Sequence, residues 1–223
     1  MTTTASPSSG RRSQRERREH TRAQLIAATI TCIAEHGYQA TTTRRVAEIA
    51  DVSLGALAHH FPSRLDLITS ALDEISQRMT VDLPARIEAC RSRQRDTLGI
   101  LDALWSLFHG QLFTVWVKVW LAAAEEPDLY AALVPLEARV SAAISENVAA
   151  AAPTTPPQRG WTRRMGIVLD AMRGHAFITR FQPHSTQWRD DRWPAMRTEL
   201  AALLADVASD DTHPGPHSLT ERH

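Results

Sequence analysis

The chain has 223 residues, which is enough to bury a core, and its 43% hydrophobic and 22% charged residues are an ordinary globular balance. It contains no run of 18 apolar residues, so we expect no membrane-spanning helix, and its polar N-terminus does not look like a secretory signal. The cysteines, Cys32 and Cys90, lie far apart within apolar helical patterns. This favours two reduced, buried thiols in a cytoplasmic protein over a disulfide.

The formal net charge of zero hides an uneven distribution along the chain. Residues 1–64 carry nine arginines and five acids, a net charge of +4, so the remaining residues carry −4. A basic front of this kind favours contact with a polyanion.

Helical periodicity begins near Arg15, after a polar stretch that we expect to be disordered. The first helix should reach His36, where Gly37 supplies the left-handed residue that ends it. Threonines 41–43 then offer an N-cap for a short helix, RRVAEIA. After a tight turn, Ser53 can cap a second short helix, LGALAHHF, which the following proline ends.

The remaining chain also follows helical periodicity, and no alternation typical of strands occurs. Ser63 should cap a long fourth helix, and Pro84 should interrupt the chain before a fifth. Two apolar helices should meet near Gly110, another should begin at Pro127 or Asp128, and the proline-rich APTTPPQRG should form a loop. Two amphipathic helices and a polar tail complete an all-α chain of about nine helices.

Residues 43–62 have the length and spacing of a helix-turn-helix. Two short helices bury little surface, so the first helix must brace them. The second short helix should stay exposed, because it has to enter a major groove about 12 Å wide. Gly55 and Ala56 at its start would let the backbone come close to DNA.

The adjacent histidines, His59 and His60, allow three interpretations. Adjacent helical residues point about 100° apart, which disfavours a shared metal ion. One histidine could pack beside Phe61 while the other faces solvent. We favour the third interpretation, in which one of them donates a hydrogen bond to a DNA phosphate.

The segment TTTRRVAEIADVSLGALAHHFPSRLDLI resembles the DNA-binding domain of the TetR/AcrR repressors. The family pattern V-x-x-I-A, then G-V-S-x-G-x-L-Y-x-H-F, agrees with it at about ten positions in order and spacing, between roughly Arg22 and Leu72. Asp51 stands where the family has a turn glycine, which aspartate tolerates. Ala58 stands where the family has a phosphate-contacting tyrosine, so that contact is lost or passes to His59.

The resemblance implies phosphate contacts from the start of the first short helix, from His59 or His60, and from Arg64, and base contacts from the start of the second. The DNA-contacting residues that it implies are Thr43, Arg44, Arg45, Ser53, Leu54, Gly55, Ala56, His59, His60 and Arg64. The second helix carries no Asn or Gln, so specificity would rest on Arg44, Arg45 and DNA shape. The arginine-rich segment RRSQRERR is either a solubilising tail or an arm that contacts DNA.

Aromatic residues crowd positions 105–120, and the default explanation is core packing. Polar residues among them, such as His109 and Lys118, are also what a small-molecule pocket needs. In the resembled family the regulatory domain holds an inducer in such a cavity. The candidate ligand-binding residues are Trp105, His109, Phe113, Trp116, Trp120, Met172 and His175.

The apolar stripes of the last two helices, within residues 160–208, either pack inside the monomer or pair across a two-fold axis. We favour a homodimer, because two recognition helices must lie about 34–36 Å apart to reach successive major grooves. The predicted segments are a disordered basic arm (1–14), a helix-turn-helix domain (15–64), a helical regulatory and dimerisation domain (65–208) and a disordered tail (209–223).

The predicted function is a homodimeric DNA-binding transcriptional regulator, a repressor that a small-molecule inducer releases from a pseudo-palindromic double-stranded operator. A DNA-binding regulator controlled by a protein partner is one alternative, and a helical adaptor is another. An enzyme is less favoured, because Glu125, Glu126 and the scattered histidines lack catalytic spacing. We expect no catalytic residue, metal, cofactor or membrane partner.

Overall fold

The computed structural model describes residues 14–94, 97–151, 159–181 and 192–205. Over these residues it contains ten α-helices and no strand, which confirms the predicted all-α class. The helices are α1 (Gln14–His36), α2 (Thr43–Ala50), α3 (Leu54–His60), α4 (Arg64–Thr80), α5 (Leu83–Gln94), α6 (Thr97–Leu107), α7 (Gln111–Ala123), α8 (Pro127–Ala150), α9 (Arg159–Phe181) and α10 (Arg192–Ala205). The predicted disordered tail and most of the predicted arm and proline-rich loop lie outside the described residues.

Local sequence signals fix the ends of the first helices as predicted. Gly37 takes a left-handed φ of 83° directly after α1. The Thr42 side chain accepts the Arg45 backbone N–H at 3.2 Å and so caps α2. Asp51 ends α2 with a φ of 53°, the left-handed conformation that the turn requires.

Helix α3 is one residue shorter than predicted. Ser53 caps its start by accepting the Ala56 N–H at 3.1 Å, as expected. At the other end the helix stops at His60, and Phe61 is extended, with a φ of −135°. The reason is Pro62, whose ring disfavours the helical conformation for the residue before it.

The longer helices begin and end at residues that suit those positions. Ser63 and Asp66 form a reciprocal cap at the start of α4, with bonds of 3.0 Å and 3.1 Å between each side chain and the other's N–H. Pro84 was expected to interrupt the chain before α5, but it lies within the first turn of that helix. A proline is tolerated there because the first backbone N–H groups of a helix have no partner within the helix. Gly110, with a φ of 94°, separates α6 from α7.

The chain forms two compact units. Of the described residues, the first unit contains residues 14–75 and 118–133, and the second contains those that lie within 76–117 and 134–205. Each has its own apolar core. Buried side chains of the first include Leu25, Ile33, Val46, Leu57, Leu67, Ile68 and Leu72. Those of the second include Leu83, Leu101, Leu104, Val115, Leu136, Val168 and Met172.

Two expectations concern the cysteines and the membrane. Cys32 is buried and free, whereas the side chain of Cys90 lies outside the described part of the chain. In that part, no helix taken singly has the length and hydropathy to cross a membrane. Helices α6 and α7 meet that test only as a pair, with a 63° bend between them.

Candidate nucleic-acid interface

Helices α2 and α3 form a helix-turn-helix. We call the side that is buried against α1 the inner side, and the side that is exposed to solvent the outer side. Val46 of α2 and Leu57 of α3 are buried, and α1 packs against α2. On the outer side, Leu54 is 51% exposed, although leucine side chains are usually buried. Gly55 is also exposed, and a Cβ built there would meet no atom within 4 Å. The start of α3 is therefore accessible to a second molecule.

An open groove runs between α2 and the start of α3. Arg44, Glu48, Ser53 and Leu54 all line it, so the predicted phosphate-contacting and base-contacting residues share one surface. The Arg44 Nε lies 3.2 Å from a Glu48 carboxylate oxygen, and the Arg44 side chain is 81% exposed. An exposed pair of this kind is worth only about 0.3–0.5 kcal/mol, so Arg44 can exchange it for a phosphate.

Two predicted residues also hold the local structure. Arg45 is exposed, yet its Nη1 donates a 2.9 Å hydrogen bond to the Ala40 carbonyl oxygen. The Ser53 hydroxyl oxygen accepts the Ala56 N–H that begins α3. Thr43 is the first residue of α2 and is half-buried, as is Ala56. All four residues, Thr43, Arg45, Ser53 and Ala56, are therefore at least partly exposed to solvent.

A second groove joins the start of α1 to the end of α3. It is lined by the basic residues Arg17, Arg18, His59 and His60, together with Gln14 and Thr21. The sequence analysis interprets the segment with these arginines as either a solubilising tail or a DNA-contacting arm. The structure places residues 14–18 within α1. The only local sign of this was the helical periodicity that begins near Arg15, and periodicity does not say which way the arginines point.

The two histidines have different surroundings. His59 is exposed, whereas His60 is half-buried and its ring centroid lies 6.4 Å from that of Phe61. Partial burial lowers the pKa of His60 below its ordinary value, and the charges of His59, Arg18 and Arg22 add to this effect. His60 thus fits the packing interpretation in part, both histidines line the second groove, and a phosphate contact from either of them stays a prediction.

Arg64 has a role that the sequence did not indicate. Its Nε donates to the Thr41 carbonyl oxygen at 2.7 Å, and its Nη2 donates to the Tyr38 carbonyl oxygen at 2.7 Å. Its Nη1 also reaches the Tyr38 hydroxyl at 3.2 Å. These bonds tie α4 to the turn before α2, so the Arg64 guanidinium group is engaged in the fold, and its predicted phosphate contact stays a prediction.

Lys118 also contributes to the first unit through contacts that are distant in sequence. Its Nζ donates to the carbonyl oxygens of Ile33 at 3.4 Å and Ala34 at 2.5 Å, in the last turn of α1. A cation there is favourable at the C-terminal end of a helix; it satisfies the Ala34 carbonyl and adds to the Ile33 carbonyl, which also accepts the Gly37 N–H. The Lys118 ammonium group, which the sequence offers as a polar group for a pocket, thus contacts the end of α1.

The second unit holds a cluster of four rings, which we call the Trp105 cluster: Trp105, His109, His175 and Trp193. The Trp105 ring lies 4.4 Å from that of Trp193 and is nearly parallel to it, at 9°. His109 meets the Trp105 ring edge-on at 4.3 Å, and His175 lies 5.5 Å from it at 29°. Three of the seven predicted ligand-binding residues therefore lie together, joined by a tryptophan that was not on the list.

The polar atoms of this cluster are only partly satisfied. Asp102 accepts the Trp193 indole N–H at 2.9 Å and also bonds Nη1 of Arg197. His109 Nδ1 lies 2.8 Å from the Trp105 carbonyl oxygen, which can only accept, so Nδ1 carries the proton. In contrast, His175 Nε2 and Arg197 Nε are buried and have no hydrogen-bond partner among the described residues. Burial, followed by the charges of Arg192 and His109, lowers the pKa of His175.

The other predicted ligand-binding residues have separate surroundings. Phe113 meets the Phe108 ring edge-on at 5.4 Å, and Trp116 donates its indole N–H to Glu137 at 3.2 Å. Trp120 belongs to the first unit, where it meets the Tyr130 ring at 5.9 Å, and Met172 is fully buried. Within the described ranges, no group of three or more His, Cys, Asp or Glu side chains is placed to hold a metal ion.

Comparison with known protein families places the first unit in a known context. The profile of the family described as bacterial regulatory proteins, tetR family, matches residues 25–71. This range covers most of α1, all of α2 and α3, and the first half of α4.

Two relatives match part of the chain. The transcriptional regulator CymR of Pseudomonas putida is 30% identical over 119 residues, which are 53% of this chain and 59% of CymR. The transcriptional repressor KstR of Mycolicibacterium smegmatis is 40% identical over 70 residues, 31% of this chain and 32% of KstR. The matched part therefore spans less than two thirds of either relative.

One solved structure resembles the whole fold. The multidrug binding protein EbrR in its complex with ethidium is 24% identical, with a TM-score of 0.59, and the match covers 82% of this chain and 97% of EbrR. At this identity the likeness concerns the fold, and it agrees with a helix-turn-helix region followed by a helical remainder.

Proposed function

This chain belongs to the TetR family of bacterial regulatory proteins, and on that premise we propose that it is a homodimeric transcriptional repressor that a small molecule releases from a pseudo-palindromic operator. The family and the relatives above are regulators, which agrees with the expectation that the chain is not an enzyme. We further propose that it acts in the cytoplasm, where operator DNA is found.

The observation that carries DNA binding is the open outer side of α2 and α3. An apolar side chain, Leu54, and a bare backbone at Gly55 are exposed at the start of α3, and a basic groove lined by Arg17, Arg18, His59 and His60 lies at the end of the same helix. Apolar contact with thymine methyl groups and close backbone approach are what a recognition helix needs in a major groove. Arg44 on one side, and Arg17, Arg18 and His59 on the other, would meet the flanking phosphates.

The proposed dimer is supported by the two apolar faces of α9. One face is buried, through Trp161, Met165, Val168, Met172 and Ala176. A second face repeats at i, i+4, i+7 and i+11 through Ile167, Ala171, Gly174 and Ile178, and its two isoleucines are 53% and 55% exposed. Two exposed isoleucines flanking small residues suit close packing against a second helix, and the two-fold copy of α9 is the partner we propose.

The ligand-responsive part of the proposal rests on the Trp105 cluster. Aromatic rings beside a buried polar atom such as His175 Nε2 combine apolar contact with hydrogen bonding, as small-molecule binding sites do. EbrR, which shares the fold, is described as a multidrug binding protein, and KstR, which is 40% identical over 70 residues, as a repressor. Ligand binding would then favour a conformation of lower DNA affinity.

The test begins with selection of duplexes from a random double-stranded library by the purified full-length chain. Fluorescence anisotropy then measures affinity for the selected duplex and for a scrambled duplex of the same composition. We expect an inverted repeat whose half-sites lie about one helical turn apart, with binding at least 10³-fold tighter than to the scrambled duplex. Equal affinity for the two duplexes would contradict the proposal.

A further inference from the structure

A side chain outside the helix-turn-helix holds the turn that leads into it, residues 37–42, which we call the entry turn. We propose that Glu126, between α7 and α8, is a positioning residue for operator recognition, which holds the entry turn so that α2 meets DNA in the correct place. This inference rests on the proposed DNA-binding function and adds to it a residue that the family match, over residues 25–71, does not include.

The Glu126 carboxylate accepts two hydrogen bonds from the entry turn. The Tyr38 hydroxyl donates to one oxygen at 2.6 Å, and the Gln39 side-chain amide donates to the other at 3.1 Å. Hydrogen bonds to an ionised acceptor are stronger than those between neutral groups, and the use of both oxygens fixes the orientation of the carboxylate. Glu126 therefore restrains two consecutive residues of the turn.

The backbone from which this carboxylate projects is itself fixed. The Glu126 carbonyl oxygen accepts the Tyr130 N–H at 2.9 Å, which begins the hydrogen bonds of α8. The Glu126 N–H donates to the Ala123 carbonyl oxygen at 3.3 Å, at the end of α7. Because Glu126 is anchored to both helices, its bonds to the entry turn hold that turn in place.

The same stretch of chain also holds α1 before the entry turn. Lys118 of α7 donates to the Ala34 carbonyl oxygen in the last turn of α1. Gly37, with its left-handed φ of 83°, then redirects the chain. Contacts on both sides of Gly37 therefore come from residues 118–126, which belong to the first unit together with α1 and α2.

The entry turn is continuous with the proposed DNA contacts. Thr42, its last residue, caps α2 by accepting the Arg45 N–H at 3.2 Å. Helix α2 begins at the next residue, Thr43, and Arg44 lines the groove on the outer side. A shift of the turn would carry the start of α2 with it, and a binding site works only when its contacting residues are held within about 0.5 Å of their productive positions.

Loss of the Glu126 contacts should shift the entry turn without unfolding it. Arg64 still bonds the Tyr38 and Thr41 carbonyl oxygens, each at 2.7 Å. Phosphate contacts from long side chains tolerate a small shift, whereas base contacts depend on the register of the motif in the groove. Specific binding should therefore weaken more than non-specific binding. A residue that only stabilised the fold would leave the ratio of the two unchanged in a folded protein.

The experiment measures the affinity of the full-length chain for the selected operator and for the scrambled duplex, by anisotropy, well below the unfolding transition of each variant. Glu126→Ala removes both hydrogen bonds, whereas Glu126→Gln removes the same charge and keeps an acceptor oxygen for Tyr38. Glu125→Ala, at the exposed neighbouring acid, is the matched control for charge.

We expect the ratio of operator affinity to scrambled affinity to fall about tenfold in Glu126→Ala, and by less than about threefold in Glu126→Gln and Glu125→Ala. An unchanged ratio in Glu126→Ala, or an equal fall in either of the other two variants, would overturn the inference.

A double variant tests whether Glu126 acts through Tyr38. Tyr38→Phe removes the hydroxyl but keeps the ring over which the Arg64 guanidinium lies. If the two residues act through one hydrogen bond, adding Tyr38→Phe to Glu126→Ala should not lower the ratio further. Losses that multiply in the double variant would contradict this route.

The wild-type chain separates the two proposals. If it binds no selected duplex, the proposed function is refuted. If it binds the operator and Glu126→Ala keeps the full ratio, only the positioning role of Glu126 is refuted.

Discussion

The Tyr38 hydroxyl donates a hydrogen bond of 2.6 Å to a Glu126 carboxylate oxygen, although 88 residues separate the two in sequence. Gln39 donates to the other oxygen at 3.1 Å, and the Arg64 guanidinium stacks over the Tyr38 ring at 4.2 Å. All four residues belong to the first unit. The turn that leads into the helix-turn-helix is thereby joined to the segment between α7 and α8.

We expect Tyr38→Phe to lower the free energy of unfolding by about 1 kcal/mol, because it removes one hydrogen bond to a carboxylate that water can still reach. Urea unfolding at pH 7, followed by circular dichroism, measures the change. Tyr130→Phe is the matched control, since Tyr130 is 52% exposed and the same atom is removed. Equal effects of the two substitutions would show that the Tyr38 hydrogen bond contributes nothing specific.

The stabilisation by this bond should depend on pH at both ends of the range. The hydrogen bond from Tyr38 lowers the pKa of Glu126 below its usual 4.5, so this contribution is present above pH 4.5 and is lost as pH falls through the lower, folded-state pKa. Burial, followed by the bond to Glu126, raises the pKa of Tyr38 from 10.0 to about 12, so the contribution is complete below pH 10 and is lost as pH rises towards 12. The difference between wild type and Tyr38→Phe should therefore be largest between about pH 5 and 10. A difference that stays constant down to pH 3 would contradict this.

Local sequence signals predicted the helix ends well because each depends on a few neighbouring atoms. Thr42 and Ser53 cap helices through bonds to residues three positions ahead, and Gly37 and Asp51 need only their own φ. The end of α3 differs from the prediction by one residue, because Pro62 keeps Phe61 in an extended conformation.

Side-chain roles that depend on distant partners could not be predicted in this way. The motif around Arg64 fits a phosphate contact, and only the fold brings Tyr38, 26 residues earlier, under its guanidinium group. Lys118 reaches carbonyls 84 and 85 residues away. Trp193 joins Trp105 from another helix, and neither periodicity nor composition pairs two particular tryptophans.

Arg44 and Glu48 should change DNA affinity in opposite directions. Arg44→Ala removes one cation from the proposed interface, so affinity should fall for all duplexes and the slope of log K against log salt should become shallower by about 1. Glu48→Gln removes a nearby negative charge and releases Arg44, so affinity should rise. Anisotropy at several salt concentrations measures both. Arg139→Ala, a change of the same charge in α8, is the control and should leave the slope unchanged; an equal effect there would point to net charge alone.

DNA binding should strengthen as pH falls from 7.5 to 5.5, through His60. Its pKa in the free protein is below 6.5 because of partial burial and the charges of His59, Arg18 and Arg22. Nearby phosphates would favour the protonated form and raise this pKa on binding, so protons are taken up, and affinity gains up to about tenfold for each unit of increase. His60→Gln should flatten the pH profile, measured by anisotropy at constant salt. His36→Gln, at an exposed histidine beside Glu35, should not; equal flattening in both variants would exclude His60 as the cause.

Ile178→Glu should convert the proposed dimer to a monomer. Ile178 lies three helical turns beyond Ile167 on the exposed face of α9, so a carboxylate there would be buried without a partner at a two-fold interface. Val81→Glu is the matched control, because Val81 is 71% exposed and lies outside α9. Light scattering coupled to size-exclusion chromatography should give about half the wild-type mass for Ile178→Glu only. If Ile178→Glu stays dimeric, this face of α9 is not part of the interface. If it becomes a monomer, its operator affinity should also fall, since a single helix-turn-helix reads only one half-site.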